Sequence, residues 1–125
     1  MHDIAIIQGI LDAVFEHAKG KGLKEIELGV EIGALKFVEP ENAKFWLEEM
    51  LKKEFGPNIK TKISIKIIPP AIKCSCGFEG AVEKVHATHD MVHAGLFEMH
   101  CLKCHGKDYE ITGGEQVLIK RLDFR

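Results

Sequence analysis

All four cysteines of the chain lie in two close pairs, and this arrangement limits how its middle third can fold. The pairs are Cys74-Ser75-Cys76 and Cys101-Leu102-Lys103-Cys104. Each pair can supply two thiolates from one turn, so the two pairs together can converge on one zinc ion. Two disulfides or unrelated core cysteines would not explain why the thiols come in local pairs. We therefore predict a closed, structural zinc site at Cys74, Cys76, Cys101 and Cys104.

The overall composition argues against several classes of protein. With 125 residues, 46% of them hydrophobic, the chain can bury one modest core with a small metal-stapled lobe beside it. The formal net charge is −2 and basic residues are mixed with acidic ones, which argues against nucleic-acid binding. No stretch reaches the roughly 18 apolar residues of a membrane span. We expect a cytoplasmic protein, because reduced, paired cysteines there bind metal more often than they form disulfides.

Hydrophobic periodicity predicts an α+β fold. Apolar residues recur at steps of three and four over 4–18, and again between Pro40 and Gly56, which is typical of amphipathic helices. Residues 24–32 and 59–67 alternate apolar with charged side chains, which predicts two half-buried strands. Glutamates of the first strand and lysines of the second are expected on one solvent face. A strand, a helix and a strand in succession imply parallel pairing by a right-handed crossover.

We predict a small mixed three-stranded sheet with two helices on one face, plus an inserted zinc-ribbon-like lobe. Residues 1–70 plus 115–125 would form an α/β domain that binds nickel, and 71–114 the zinc-binding lobe. Residues 108–112 and 116–124 are expected to pair around Gly113-Gly114, with the last segment also adding the third strand of the main sheet. The exposed edges of the sheet offer unpaired backbone groups to a second copy of the chain, which is compatible with a homo-oligomer.

The start of the chain offers nitrogen donors. The amine of Met1, together with the amide and imidazole of His2, can close on one ion, and nitrogens near one plane suit Ni(II) or Cu(II) better than Mg or Ca. The bulk of His2 is expected to prevent removal of Met1. Asp3 is expected to add an oxygen or to cap the first helix. A histidine at position 2 taken alone is more often an untethered surface residue.

The spacer between the cysteine pairs is rich in histidine. If residues 81–97 are helical, His86, His89 and His93 share one face with Asp90, at spacings that suit metal ligation. Histidine-rich loops are also often simply solvated. His100 and His105 flank the second cysteine pair, where they would replace a thiolate or support one from outside.

These features together resemble the HypA family of hydrogenase nickel-incorporation proteins. The resemblance rests on Met1-His2-Asp3-Ile4 before a helix, the α-β-α-β run, the two cysteine pairs and the β return, and it covers essentially the whole chain. It implies a nickel metallochaperone, not an enzyme, with nickel at Met1, His2 and Asp3 and zinc at the four cysteines. It also implies the HypB GTPase and the [NiFe]-hydrogenase large-subunit precursor as partners, with urease maturation in some organisms.

Two departures from the family pattern affect the site residues. Asp3 stands where the family usually has glutamate, and the first cysteine pair is C-x-C instead of C-x-x-C. The spacer is also longer than in the commonest members. In archaeal-type members a histidine from a long spacer completes the nickel site, and His89 and His86 are the candidates here.

Two alternative functions come from other classes. A zinc-ribbon module that contacts nucleic acid or protein would share the cysteine pairs. A module of this kind that binds nucleic acid should carry a basic face. A small metal hydrolase built on His86, His89, Asp90 and His93 would need an open cleft. We find no Gly-rich phosphate loop and no pairing of a nucleophile with a base, which favours a protein that is not an enzyme.

Overall fold

The computed structural model describes residues 3–18 and 22–125. Along the chain its elements are α1 (Asp3–His17), β1 (Glu25–Gly33), a short 3-10 turn (Ala34–Lys36), α2 (Pro40–Phe55), β2 (Lys60–Ile68), β3 (Ala71–Cys74), β4 (Glu79–Ala81), β5 (Val85–His86), α3 (His89–His93), β6 (Glu98–Met99), β7 (Tyr109–Gly113) and β8 (Val117–Phe124). Within the described ranges no helix combines the length and the apolar character that crossing a bilayer requires.

The described residues divide into two compact units. The first, here called the zinc lobe, comprises residues 33–37 and 68–116, and the second, here called the main unit, comprises 3–18, 22–32, 38–67 and 117–125. Chain segments leave and re-enter each unit, because residues 68–116 of the zinc lobe are inserted between β2 and β8, and residues 33–37 join the lobe from between β1 and α2.

The main unit contains a three-stranded sheet in the order β2-β1-β8. The Lys60 amide donates to the Lys24 carbonyl at 2.9 Å, so β1 and β2 begin at the same end and run parallel. Strand β8 runs antiparallel to β1, from Ile26 opposite Phe124 to Ile32 opposite Val117. The mixed three-stranded sheet, including its third strand from the end of the chain, is confirmed.

Both long helices cover the apolar face of this sheet. Helix α2 starts where Pro40 occupies its first turn and the Glu39 side chain accepts from the amides of Glu41 and Asn42, at 3.2 and 2.6 Å. Residues of α1, α2, β1 and β2, together with Val38 and Ile59 just before α2 and β2, form one buried core. Its members are Ile7, Ile10, Leu11, Val14, Ile26, Leu28, Val30, Ile32, Val38, Ala43, Leu47, Leu51, Ile59 and Ile63.

The opposite face of the sheet carries charged pairs. Lys62 of β2 lies 3.8 Å from Glu25 of β1, which confirms the expected cross-strand contact. Glu27 instead lies 3.0 Å from Arg121 of β8 and 3.2 Å from Arg125, the residue that follows β8, and the sequence did not place these two cations there. Solvent-exposed pairs of this kind each add at most about 1 kcal/mol, so this face stabilises the sheet only modestly.

The zinc lobe contains two small antiparallel sheets, β4-β3-β7 and β5-β6. Strand β7 pairs with β3, whereas β8 pairs with β1 in the main unit, so the predicted pair of 108–112 with 116–124 is wrong. Gly114, which has φ +93°, lies where an added Cβ would come within 2.6 Å of Pro70 Cα. The chain therefore passes close to Pro70 after β7. Strand β8 gains more free energy from burying apolar residues against β1 than it would from pairing with β7.

The condition that residues 81–97 are helical is met only in part. Only His89–His93 is helical, while Val85 and His86 pair with Met99 and Glu98 in the β5-β6 ladder. Val82 and Met99 are buried, so the ends of this segment are drawn into the core of the lobe as extended chain. The histidine periodicity alone did not reveal that competing burial.

Substituting two glycines should change stability in opposite directions. A Cβ on Gly33 would overlap the backbone carbonyl of Gly114, so Gly33→Ala should lower the free energy of unfolding by about 1–3 kcal/mol or more. Gly9 lies on the exposed face of α1 with nothing near an added Cβ, so Gly9→Ala should raise it by about 0.5–1 kcal/mol. Urea unfolding followed by circular dichroism measures both changes. A neutral Gly33→Ala would show that the two backbone segments do not approach closely.

Candidate metal centre

The four predicted cysteines come together in the zinc lobe. Their sulfur atoms all lie within 4.8 Å of one another. Cys74 Sγ is 3.6 Å from Cys104 Sγ, and Cys76 Sγ is 3.6 Å from Cys101 Sγ. A tetrahedral zinc ion with Zn–S bonds of about 2.3 Å requires sulfurs roughly 3.8 Å apart, so this arrangement fits a zinc ion with four thiolates.

Two tight turns aim the sulfurs inward. After β3, the Gly77 amide donates to the Cys74 carbonyl at 3.0 Å, and Gly77 adopts φ +97°, which allows the one-residue spacing to close. At the second pair, the amides of Lys103 and Gly106 point at Cys101 Sγ and Cys104 Sγ, both at 3.4 Å. Because N–H groups directed at sulfur stabilise negative charge there, both pairs suit thiolates.

The four thiols influence one another's ionisation. Burial raises the pKa of Cys101, but hydrogen bonds from two backbone amides and from the thiols of Cys76 and Cys74 outweigh it and lower the pKa to about 6. At Cys104 the Gly106 amide lowers the pKa, whereas the Cys74 thiol, burial and the two other thiols raise it to about 11. The lowered pKa favours the thiolate at Cys101, while a bound cation must displace the proton of Cys104.

The sulfur cluster is continuous with the small hydrophobic core of the zinc lobe. Cys74 and Cys101 are buried, and they belong to the same apolar cluster as Ile72, Val82 and Met99. The Tyr109 hydroxyl donates to the Met99 carbonyl at 2.8 Å, and desolvation raises the pKa of that phenol. A cluster this small cannot order the lobe alone, so the metal must supply part of the folding free energy.

The spacer histidines occupy different elements. His86 lies exposed on β5 opposite Glu98, whereas His89 and His93 lie one helical turn apart on α3. Among the described residues, the four cysteines are the only group of three or more histidine, cysteine or carboxylate ligands that converge. The structure therefore does not gather His86, His89, Asp90 and His93 into the cluster that a metal hydrolase would need.

His100 and His105 do not replace a thiolate. His100 Nδ1 lies 3.2 Å from the His105 carbonyl oxygen, which braces the loop after the second cysteine pair. All four sulfurs already converge, including both from the short first pair. The His100 ring therefore supports the loop from outside the sulfur cluster.

The N-terminal candidates are only partly located. Met1 and His2 lie outside the described residues, while Asp3 lies in the first turn of α1. Asp3 lines an apolar groove of about 370 Å³ between α1 and α2, together with Ile4, Ile7 and Trp46. Trp46 is 47% exposed and Ile4 81%. Sequence periodicity predicted the buried side of each helix but not this groove, which depends on how the two helices pack.

The fold and the sulfur cluster define a small α+β protein with a zinc-ribbon-like lobe. A family model described as "Hydrogenase/urease nickel incorporation, metallochaperone, hypA" matches residues 1–124. This chain belongs to the HypA family. The resemblance noted from the sequence is thereby confirmed, and the family is one of nickel metallochaperones that act in hydrogenase maturation.

Individual relatives agree with this assignment. The hydrogenase maturation factor HypA of Methanocaldococcus jannaschii is 30% identical over 127 residues, which covers 96% of this chain and 94% of that protein. The HypA of Methanosarcina acetivorans is 28% identical over 129 residues, covering 98% and 95%. The solution structure of the Ni metallochaperone HypA from Helicobacter pylori superposes with a TM-score of 0.56 at 18% identity, covering 98% of this chain and 97% of that one. This last likeness supports the fold.

Removing one thiol should release zinc and disorder the lobe. Cys101→Ala leaves three sulfurs around a buried position, so zinc content measured by mass spectrometry should fall well below one ion per chain. In ¹H–¹⁵N spectra, amide signals from 68–116 should lose dispersion, while those of β1, β2 and α2 persist. Ser75→Ala, an exposed neighbour between two ligands, should keep both zinc and dispersion. Full zinc retention in Cys101→Ala would contradict a four-thiolate site.

Proposed function

We propose that this protein carries Ni(II) for the maturation of [NiFe]-hydrogenase, with zinc held permanently at the four cysteines and nickel held transiently at the start of the chain. What supports this most is the family match over residues 1–124 in a chain whose four sulfurs converge on one point. Four thiolates complete one coordination sphere, so the transported ion needs other ligands.

The nickel ligands in this proposal are Met1, His2 and Asp3. The amine and the first amide and imidazole nitrogens form adjacent chelate rings in one plane, a geometry that Ni(II) accepts readily. Asp3 lies in the first turn of α1, where its carboxylate also interacts favourably with the helix dipole. Since aspartate is one methylene shorter than glutamate, the Asp3 carboxylate reaches less far, and it contributes a fourth or an outer oxygen to the ion. His89 or His86 is proposed to complete the nickel site.

The main ligands of each metal come from a different part of the chain. Residues 1–70 plus 115–125 supply Met1, His2 and Asp3 for nickel, and residues 71–114 supply the four cysteines for zinc together with the additional histidine. The two metals must differ in exchange rate, because a carrier has to release its cargo while its scaffold stays folded. Nitrogen and oxygen ligands with open coordination positions exchange more readily than four thiolates that fill the sphere.

The proposed partners are the HypB GTPase and the hydrogenase large-subunit precursor. Nickel passes between them and this chain by ligand exchange, in which incoming side chains take open positions on the ion before the nitrogens leave. This is metal transfer and not catalysis of a bond change in a substrate. The proposed place of action is the cytoplasm, where reducing conditions keep the thiols available for zinc.

Trp46 provides an optical test of the N-terminal site. It is the single tryptophan of the chain, and it lines the same groove as Asp3, the residue that follows His2. Ni(II) bound at Met1 and His2 should quench its fluorescence, with one nickel bound per zinc-loaded chain. His2→Ala, or one alanine added before Met1, should abolish the quenching, because each change breaks the adjacent chelate rings. Fluorescence titration and equilibrium dialysis measure the two quantities.

A matched control separates this site from general histidine binding. His17 is exposed at the end of α1, so His17→Ala should bind nickel and quench like the unsubstituted chain. Nickel binding that persists unchanged in both His2→Ala and the extended chain would eliminate the N-terminal site.

A further inference from the structure

Strand β2 lies at a free edge of the main sheet. In the order β2-β1-β8 it pairs only with β1 among the strands that the structure describes. Since the Lys60 amide donates to the Lys24 carbonyl, every second residue of β2 from Lys60 onward directs its backbone groups at β1. The residues between them, Thr61, Ile63 and Ile65, direct theirs away from the sheet, where no backbone hydrogen bond from another described segment reaches them. This edge therefore offers a row of donors and acceptors to an added strand.

The side chains of this edge strand carry charge of one sign. Lys60, Lys62 and Lys66 are exposed on one face of a nine-residue strand that contains no carboxylate. Lys62 lies 3.8 Å from Glu25, and its side chain is still 70% exposed. Neither Lys60 nor Lys66 forms an ion pair with any described residue. Most of the positive charge along β2 is thus uncompensated.

The edge has room for a further segment along the first half of β2. A cavity of about 350 Å³ is lined by four successive residues, 61–64, and by Lys44 and Glu48 of α2. A second cavity, of about 600 Å³, lies at the start of the strand, where Phe55 and Ile59 contribute apolar side chains. An added strand would therefore meet backbone groups along its length and an apolar position at one end.

Charge decides which kind of segment fits this edge. A second copy of the chain would place one β2 beside another, and lysines would then face lysines across the pair, which is destabilising. A nucleic acid would meet Glu25, Glu27 and Glu31 on the neighbouring strand β1, which repel phosphate groups. Carboxylates at alternate positions of an extended chain would instead form favourable cross-strand pairs with the lysines. The complementary partner is an acidic, extended segment.

We propose that β2 is a docking edge for an extended, acidic segment of another protein, which adds to the main sheet as a fourth strand. Its backbone pairs with the outward groups of Thr61, Ile63 and Ile65, and its carboxylates lie beside the lysines of β2. Main-chain pairing supplies affinity, and the alternating acidic side chains supply selectivity. The docking edge goes beyond the proposed function, because it uses no metal ligand and defines the chemistry of a partner segment.

The test uses the zinc-loaded chain without nickel and a synthetic peptide, as long as β2, that alternates glutamate with valine. At saturating peptide, hydrogen–deuterium exchange should slow at the amides of Thr61, Ile63 and Ile65, because these amides donate to the added strand. The amides of Lys60 and Lys62 should change little, since they face β1. A peptide with lysine in place of glutamate should bind at least about tenfold more weakly in isothermal titration calorimetry.

Charge reversal on the strand provides a second measurement. Lys62→Glu combined with Lys66→Glu should weaken binding of the glutamate peptide more than about tenfold, because two attractive cross-strand pairs become repulsive. The matched control reverses two exposed lysines of the zinc lobe, Lys84→Glu combined with Lys107→Glu, and should bind like the unsubstituted chain. Circular dichroism checks that both double variants keep the fold.

Methylation of the peptide backbone tests main-chain pairing without any change to the protein. Two glutamate peptides carry methyl groups on alternate amides, one in each phase, and only the phase that faces β2 should abolish binding. Equal binding of the glutamate and lysine peptides, or unchanged exchange at Thr61, Ile63 and Ile65, would overturn the docking edge. Slow exchange at these amides that appears without peptide and increases with protein concentration would also overturn it, because a second copy would then occupy β2.

Discussion

Convergence of four sulfur atoms is the constraint on which the zinc lobe depends. The buried residues of the lobe are few, and two of them, Cys74 and Cys101, are themselves proposed metal ligands. The remaining apolar members, Ile72, Val82 and Met99, lie on three different segments that the cysteine turns bring together. Metal ligation and hydrophobic burial therefore stabilise this unit cooperatively, and neither would order it alone.

The main unit is stabilised differently. Its helices and parallel strands enclose a continuous core of leucine, isoleucine and valine side chains, and among the residues that the structure describes no group of three or more metal ligands converges in this unit. A unit of this kind can keep its fold while ligands at its edge gain or lose an ion. This division suits a carrier, because exchange of the transported metal does not have to disturb the burial that maintains the fold.

Placement of the spacer histidines follows from competition between local pattern and burial. Residues 86, 89 and 93 have helical spacing, yet burying Val82 and Met99 extends the chain at both ends of the segment. What remains is a helix of five residues whose length is just sufficient to bring His89 and His93 together. The same compromise leaves His86 on a strand, where its neighbour is Glu98. A longer helix would have presented three rings in a row, and the actual fold presents a pair.

The sequence alone determined the features that depend on neighbouring residues. Helical periodicity, strand alternation and the paired thiols act within a few residues, so the two long helices, the main strands and the four-sulfur cluster were predictable. Only the tertiary structure decided which strands pair and which histidines meet. Tyr109–Gly113 and Val117–Phe124 are adjacent in the chain, but each pairs with a distant strand, because burial against β3 and β1 outweighs a local hairpin. Such choices compare the free energies of long-range contacts, which no local pattern encodes.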